Sequence, residues 1–246
     1  MALKIRENYS PNFDLRPQKK KSIRFLIFHY TGMKSEKKAI QRLIKIQSEV
    51  SAHYFIKKNG EIIRMVPDIY KAWHAGISSW GKYKFLNKYS IGIELSNPGH
   101  KFGYVNFSKQ QIKNLLKLTR ILVKKYKIKN KHILGHSDIA PDRKKDPGEK
   151  FPWKTLYKNK IGVWHNLNNK KLIFLREKNV PVREANLFLN KLRKFGYFYK
   201  NTIIKGRKKY KKLLIKTFQR RFRPELINGK IDQECVLIIK NLINER

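Results

Sequence analysis

The 246-residue chain has one cysteine, Cys235. That excludes an internal disulfide framework and any zinc site built from cysteines. Acid is scarce as well. Only 17 Asp and Glu stand against 58 Lys and Arg, a formal net charge of +41. Such a surface seeks polyanions, whether nucleic acid, an anionic wall polymer or an acidic membrane. The bases are spread along the chain and no recognisable nucleic-acid motif accompanies them, so specific nucleic-acid binding is not expected. Long apolar runs are missing too. Nothing approaches the ~20 residues of a membrane span. Residues 1–17 are polar, with neither the apolar core of a secretory signal nor an early cysteine for lipidation. What is present suffices for a core. At 41% hydrophobic residues the chain can form one large domain, or one medium and one small.

Residues 1–21 read as a loose tail ending in Lys19-Lys20-Lys21. An apolar run through Phe28 then predicts a buried strand that delivers His29-Tyr30-Thr31 to its end. Ser35 caps a helix predicted to reach about Glu49. Lys58-Asn59-Gly60 between apolar runs predicts a hairpin. Residues 70–89 read as a long aromatic loop, and Ser90 to Leu95 as a short strand. Ser108 with Gln111 forms a capping box for a helix whose apolar face includes Leu115, Leu122 and Tyr126. His132 to Leu134 predicts one more strand, leading into Gly135-His136-Ser137-Asp138. Alternating strands and helices indicate an α/β domain with a mixed central sheet flanked by helices, over residues 22–165. Residues 166–178 read as a linker. Residues 179–246 carry three stretches of helical apolar spacing, a small three-helix domain.

The chemistry gathers in polar residues at predicted strand ends. His29, His136 and Asp146 offer two imidazoles and a carboxylate, a set that holds zinc and leaves a fourth position open. Taken singly, a histidine reads more often as a satisfied structural residue, and His53 is read that way; His132 and His165 read as surface or packing residues. Glu94 is an acid in an apolar strand, suited to proton transfer; its alternative is a surface residue of an edge strand. Lys144 lies two residues before Asp146, placed to stabilise an oxyanion; its alternative is one more lysine in a basic chain.

Six motifs follow one another in order: Phe28-His29-Tyr30-Thr31, Ser51-Ala52-His53-Tyr54, Ala72-Trp73-His74-Ala75-Gly76, Ser90 to Leu95, Gly135 to Gly148, and Phe151-Pro152-Trp153. Together they resemble the type 2 family of zinc-dependent N-acetylmuramoyl-L-alanine amidases, its AmpD-like and AmiD-like branch. The resemblance implies hydrolysis of the amide between the lactyl group of N-acetylmuramic acid and L-alanine, in peptidoglycan or muropeptides, ordinary or 1,6-anhydro. It implies zinc on His29, His136 and Asp146, Glu94 as acid and base, and Lys144 as transition-state stabiliser. It puts Trp73, His74 and Ala75 on the substrate-groove loop, with His74 touching sugar or peptide and Asn97 bonding the stem. Residues 190–197, 218–222 and 228–232 resemble a three-helix peptidoglycan-binding domain, departing from its pattern over 198–212. That domain favours the cell envelope, the periplasm, as the place of action; the polar N-terminus leaves the cytoplasm open. Two rivals stand beside this reading: a recognition protein with a dead site, and a basic nucleic-acid binder.

Overall fold

Phe25-Leu26-Ile27-Phe28 is apolar at every position, and such a run needs cover on both faces. The computed structural model, which describes residues 3–16, 22–197 and 207–244, provides it. Among the described residues the strands are β1 (Ile5–Glu7), β2 (Phe13–Leu15), β3 (Phe25–Tyr30), β4 (Tyr54–Ile56), β5 (Ile62–Arg64), β6 (Tyr70–Ala72), β7 (Ser79–Trp80), β8 (Tyr83–Lys84), β9 (Ser90–Leu95) and β10 (Ile133–Gly135). The helices are α1 (Glu36–Ile44), α2 (Lys109–Tyr126), α3 (His136–Ile139), α4 (Trp153–Lys158), α5 (Asn169–Leu175), α6 (Val182–Phe195), α7 (Arg207–Phe222) and α8 (Gln233–Asn244).

Six strands form the main sheet in the order β1-β5-β4-β9-β3-β10. Only β4 and β5 run antiparallel, joined by the Asn59-Gly60 hairpin. The other neighbours are parallel. The sheet is mixed and helix-flanked, as the alternation of elements predicts. Alternate residues of β4 and β5 face opposite layers. Phe55 and Ile63 pack with Ala39 and Leu43 of α1 on one side. Tyr54, Ile56 and Ile62 join Leu115, Leu118 and Leu122 of α2 on the other. Helix α2 starts where its capping box puts it, since Ser108 Oγ accepts from Gln111 N and Gln111 Oε1 accepts from Ser108 N. Such a cap contributes about 1 kcal/mol.

Two stretches differ from the sequence expectation. Residues 3–16 are not a loose tail: β1 adds a parallel edge strand to β5, and β2 pairs with β6; the rest of the expected tail, 1–2 and 17–21, lies outside the described residues. Arg16 is buried and donates to the carbonyls of Asp68, Tyr70, Ser90, Asn87 and Lys88. Hydropathy carries no sign of this, because three-residue strands have little pattern and a buried arginine looks like a surface one. Within the stretch read as linker, Asn168 caps α5, and Leu172 is buried in the main core.

The three C-terminal stretches of helical apolar spacing lie on α6, α7 and α8, and α7 starts six residues before the first apolar position of its stretch, Leu213. These helices are not held at a distance from the sheet. One hydrophobic cluster runs from β3 and β9 through Trp80, Trp153 and Trp164 into Phe195, Tyr197 and Phe222. Gly196 ends α6 at φ +132 and lies flat against Trp80; a Cβ there would come within 2.4 Å of the indole. A polar clamp lies inside this apolar contact. Arg221 Nη1 pairs with Asp138 Oδ2 at 2.5 Å, and Arg221 Nη2 donates to Ile133 O at 3.1 Å. Tyr197 OH donates to Asp138 Oδ1 at 2.6 Å, and the Arg221 guanidinium lies 4.2 Å from the Trp153 ring centroid. Both members of the ion pair are almost fully buried. Arg221→Met should therefore strand the Asp138 carboxylate and cost about 3–5 kcal/mol. Thermal melting checks this. The double variant Asp138→Asn/Arg221→Met should regain much of the loss, and a single variant as stable as the parent would remove the clamp from the account.

Candidate metal centre and active site

Parallel strands bring their carboxyl ends to one edge of a sheet, and that edge collects the polar residues. In β3 and β9, His29 and Glu94 are register partners, so their side chains stand together. In β10, Gly135 pairs with Phe28, and the chain turns at once into α3 with His136 at its start. Asp146 arrives on the following loop, whose backbone is tied back by Ser137 N donating to Asp146 O at 2.8 Å.

His29 Nδ1 lies 3.0 Å from His136 Nδ1 and 3.1 Å from Asp146 Oδ2, and His136 Nδ1 lies 3.0 Å from the same oxygen. All three residues are buried. The outward nitrogen of His136 sits 3.1 Å from the Ala75 carbonyl, which can only accept, so Nε2 carries the proton and Nδ1 is bare. Bare nitrogen and carboxylate oxygen atoms this close repel one another unless a cation lies between them. One ligand atom from each of the three residues lies within 4.8 Å of the others, close enough for a single metal ion to be shared among them. Burial and the neighbouring His136 depress His29 to about 4, so its lone pair is free at neutral pH. Burial pushes the Asp146 carboxyl up, but His136 and His29 outweigh it and hold it well below the usual carboxylate range.

The three residues line one wall of a cleft of about 610 Å³, with Glu94, Lys144 and Trp73 also in its lining. Strand β9 lies between β4 and β3, so Glu94 is on a central strand and not on an edge. Its Oε2 is buried and has no hydrogen-bond partner. Burial, then the Asp146 charge, push Glu94 up to about 8, while Lys144 acts in the opposite direction.

The residues expected along the substrate groove have different surroundings. Trp73 lines the cleft, with its indole N–H donating to Asp14 Oδ2 at 2.7 Å. Ala75 is fully buried, and its carbonyl accepts from His136 and Arg143. Asn97 is buried at the turn after β9: its Nδ2 donates to Val105 O and its Oδ1 accepts from Gly99 N, so it shapes that loop. His74 stands behind His29, with its Nδ1 3.0 Å from His29 Nε2 and its Nε2 3.1 Å from Ser90 Oγ. One sequence signal does mark this approach. A glycine inside a strand allows close contact, and a Cβ on Gly92 would fall 2.4 Å from the His74 ring. His53 is a satisfied structural residue whose Nδ1 accepts from Gly92 N. Arg143, which ties down the Ala75 and Ile77 carbonyls, carries no signal among so many bases.

Comparison with known proteins follows the same outline. Residues 19–149 match the family model described as N-acetylmuramoyl-L-alanine amidase. The N-acetylmuramoyl-L-alanine amidase AmiD of Escherichia coli (strain K12) is 34% identical over 236 residues, covering 91% of this chain and 83% of that protein. The 1,6-anhydro-N-acetylmuramyl-L-alanine amidase AmpD of Haemophilus influenzae is 35% identical over 166 residues, covering 60% of this chain and 88% of that protein. Among solved structures, E. coli AmiD in complex with the substrate anhydro-N-acetylmuramic acid-L-Ala-D-gamma-Glu-L-Lys superposes with a TM-score of 0.79 at 34% identity, over 94% of this chain and 90% of that one. AmpDh3 of Pseudomonas aeruginosa in complex with anhydromuramic pentapeptide gives 0.79 at 33%, over 91% and 92%.

Proposed function

The chain belongs to the N-acetylmuramoyl-L-alanine amidase family, and from that premise we propose that it hydrolyses the amide joining the lactyl group of N-acetylmuramic acid to L-alanine in muropeptides. The observation that carries the reading is the convergence of three lone-pair donors beside a buried carboxyl with an unused oxygen. Zinc is the proposed metal. Its bonds to His and carboxylate ligands, about 2.0–2.2 Å in tetrahedral geometry, set ligand atoms roughly 3.3–3.5 Å apart. The observed 3.0–3.1 Å is within a few tenths of that. The chemistry zinc supplies when bound is Lewis acidity toward water and a carbonyl.

The protein's own groups do the rest. His29, His136 and Asp146 hold the metal. Glu94 takes a proton from the attacking water on its unpartnered oxygen and passes it to the departing alanine amine. A carboxyl raised toward neutrality both takes and returns a proton within a useful pH range. Lys144 presents a positive charge in the same cleft to the oxyanion of the tetrahedral intermediate. Trp73 offers an aromatic face to sugar or peptide. We assign this chemistry to residues 22–165. We read the helical unit from residue 179 onward as a peptidoglycan-binding domain, and that reading favours action in the cell envelope. Among the described residues, no helix is long and apolar enough to cross a membrane.

Mass spectrometry of products from anhydro-muropeptides and from intact sacculi, incubated side by side with and without a chelator, tests the proposal. Free stem peptide is expected, and it should vanish with the chelator and return with added zinc. Binding of muropeptide without release of peptide would point instead to a recognition protein.

A further inference from the structure

A histidine ligates through Nδ1 only while its proton stays on Nε2, so something must hold the proton there. For His136 the Ala75 carbonyl does so. For His29 the neighbour is another histidine, which by itself accepts or donates equally well. The direction is settled three residues away. The Leu86 carbonyl can only accept, and Ser90 Oγ lies 2.6 Å from it, so the hydroxyl proton points there. Ser90 Oγ then faces His74 Nε2 at 3.1 Å as an acceptor, which puts the His74 proton on Nε2. His74 Nδ1 is left bare and accepts the His29 Nε2 proton across 3.0 Å. His29 Nδ1 is thereby bare toward His136 and Asp146.

We infer that His74 is a positioning residue: with Ser90 it forms a one-way chain from the Leu86 carbonyl that fixes the tautomer and ring angle of His29 for metal binding. The packing agrees. His74 is nearly fully buried, its ring stands edge-on to His29 at 83° with centroids 5.1 Å apart, and Gly92 leaves the room it occupies. The Asn87 side chain holds its backbone, accepting from His74 N and Ala75 N. His74 also borders the cleft, but both its ring nitrogens are engaged inside the protein, toward His29 and Ser90.

The inference rests on the metal reading of the site, and one set of titrations separates the two. Zinc affinity, measured by chelator competition, is compared for the parent, His74→Leu, His74→Asn and Ser90→Ala. Loss of an outer-shell partner costs about 10–100-fold in metal affinity. His74→Leu, which removes both nitrogens at similar bulk, should weaken zinc binding by about that factor. His74→Asn, which keeps an acceptor near the Nδ1 position, should recover most of it. Ser90→Ala, a small change that releases the chain, should fall between the parent and His74→Leu. With zinc saturating, KM for muropeptide should stay at the parent value in every variant. Unchanged affinity in His74→Leu overturns the inference; should that variant fail to fold, unchanged affinity in Ser90→Ala overturns it equally. A raised KM at saturating zinc would return His74 to the substrate. A parent protein that binds no zinc would sink the metal reading itself.

Discussion

Asp146→Ala is expected to lose zinc and turnover together. The carboxylate is the only anionic donor of the three, and without it two neutral imidazoles remain. Loss of a direct ligand should lower affinity by more than the 10–100-fold that loss of an outer-shell partner costs. The fold should survive. The bond that ties this loop to α3, Ser137 N to Asp146 O, uses backbone atoms that alanine keeps. The Arg221 clamp on Asp138 is untouched as well. Metal analysis, circular dichroism and product mass spectrometry on one preparation check all three points. Full zinc content in an active variant would remove Asp146 from the ligand set.

Glu94→Gln should behave in the opposite way, keeping zinc but losing about 10²–10⁴-fold in kcat, the usual contribution of a positioned acid or base. It also carries a stability signature. The Glu94 carboxyl is raised from 4.5 to about 8, chiefly by burial. The folded metal-free protein therefore keeps a proton that the unfolded chain releases near pH 4.5, so Glu94 costs stability increasingly as pH rises from there to about 8. Glutamine has no proton to lose. The metal-free variant should melt at the parent temperature below pH 4.5 and above it at pH 9, by the equivalent of a few kcal/mol. Zinc should shrink the difference, because a cation beside the carboxylate favours its charged form. Melting curves at the two pH values, with and without metal, test this. Equal melting at pH 9 without metal would contradict the raised carboxyl, and a fully active variant would end its role as acid and base.

The predictions for Asp146 and Glu94 start from features of the sequence itself. An acid among apolar neighbours in a strand and a His-to-Asp spacing within a Pro- and Gly-rich loop are local features. So are the hydropathy run of β3, the hairpin at Asn59-Gly60, the capping box of α2 and the spacing of the last three helices. Each involves residues a few positions apart, where periodicity and cap chemistry act.

What lay out of reach were polar pairings between distant positions. Nothing near Arg221 marks it as the partner of Asp138, and nothing near Arg16 marks a buried guanidinium that gathers five carbonyls. In a chain with 58 basic residues, composition hides the few that are buried. His74 shows the limit most clearly. Its motif placed it beside the reaction, but whether it faces substrate or metal ligand depended on Ser90, Leu86 and Gly92 arriving around it.

By itself, then, the sequence determined the α/β alternation, the strand ends that carry the polar residues, and the order of the family motifs, because these follow from hydrophobic period and local turn chemistry. Only the tertiary structure decided which groups face the ring nitrogens of His29, His74 and His136, which arginines are inside, and that the C-terminal helices share one core with the sheet. A proton's position or a buried charge's partner is set by atoms that the fold brings together from far apart in the chain.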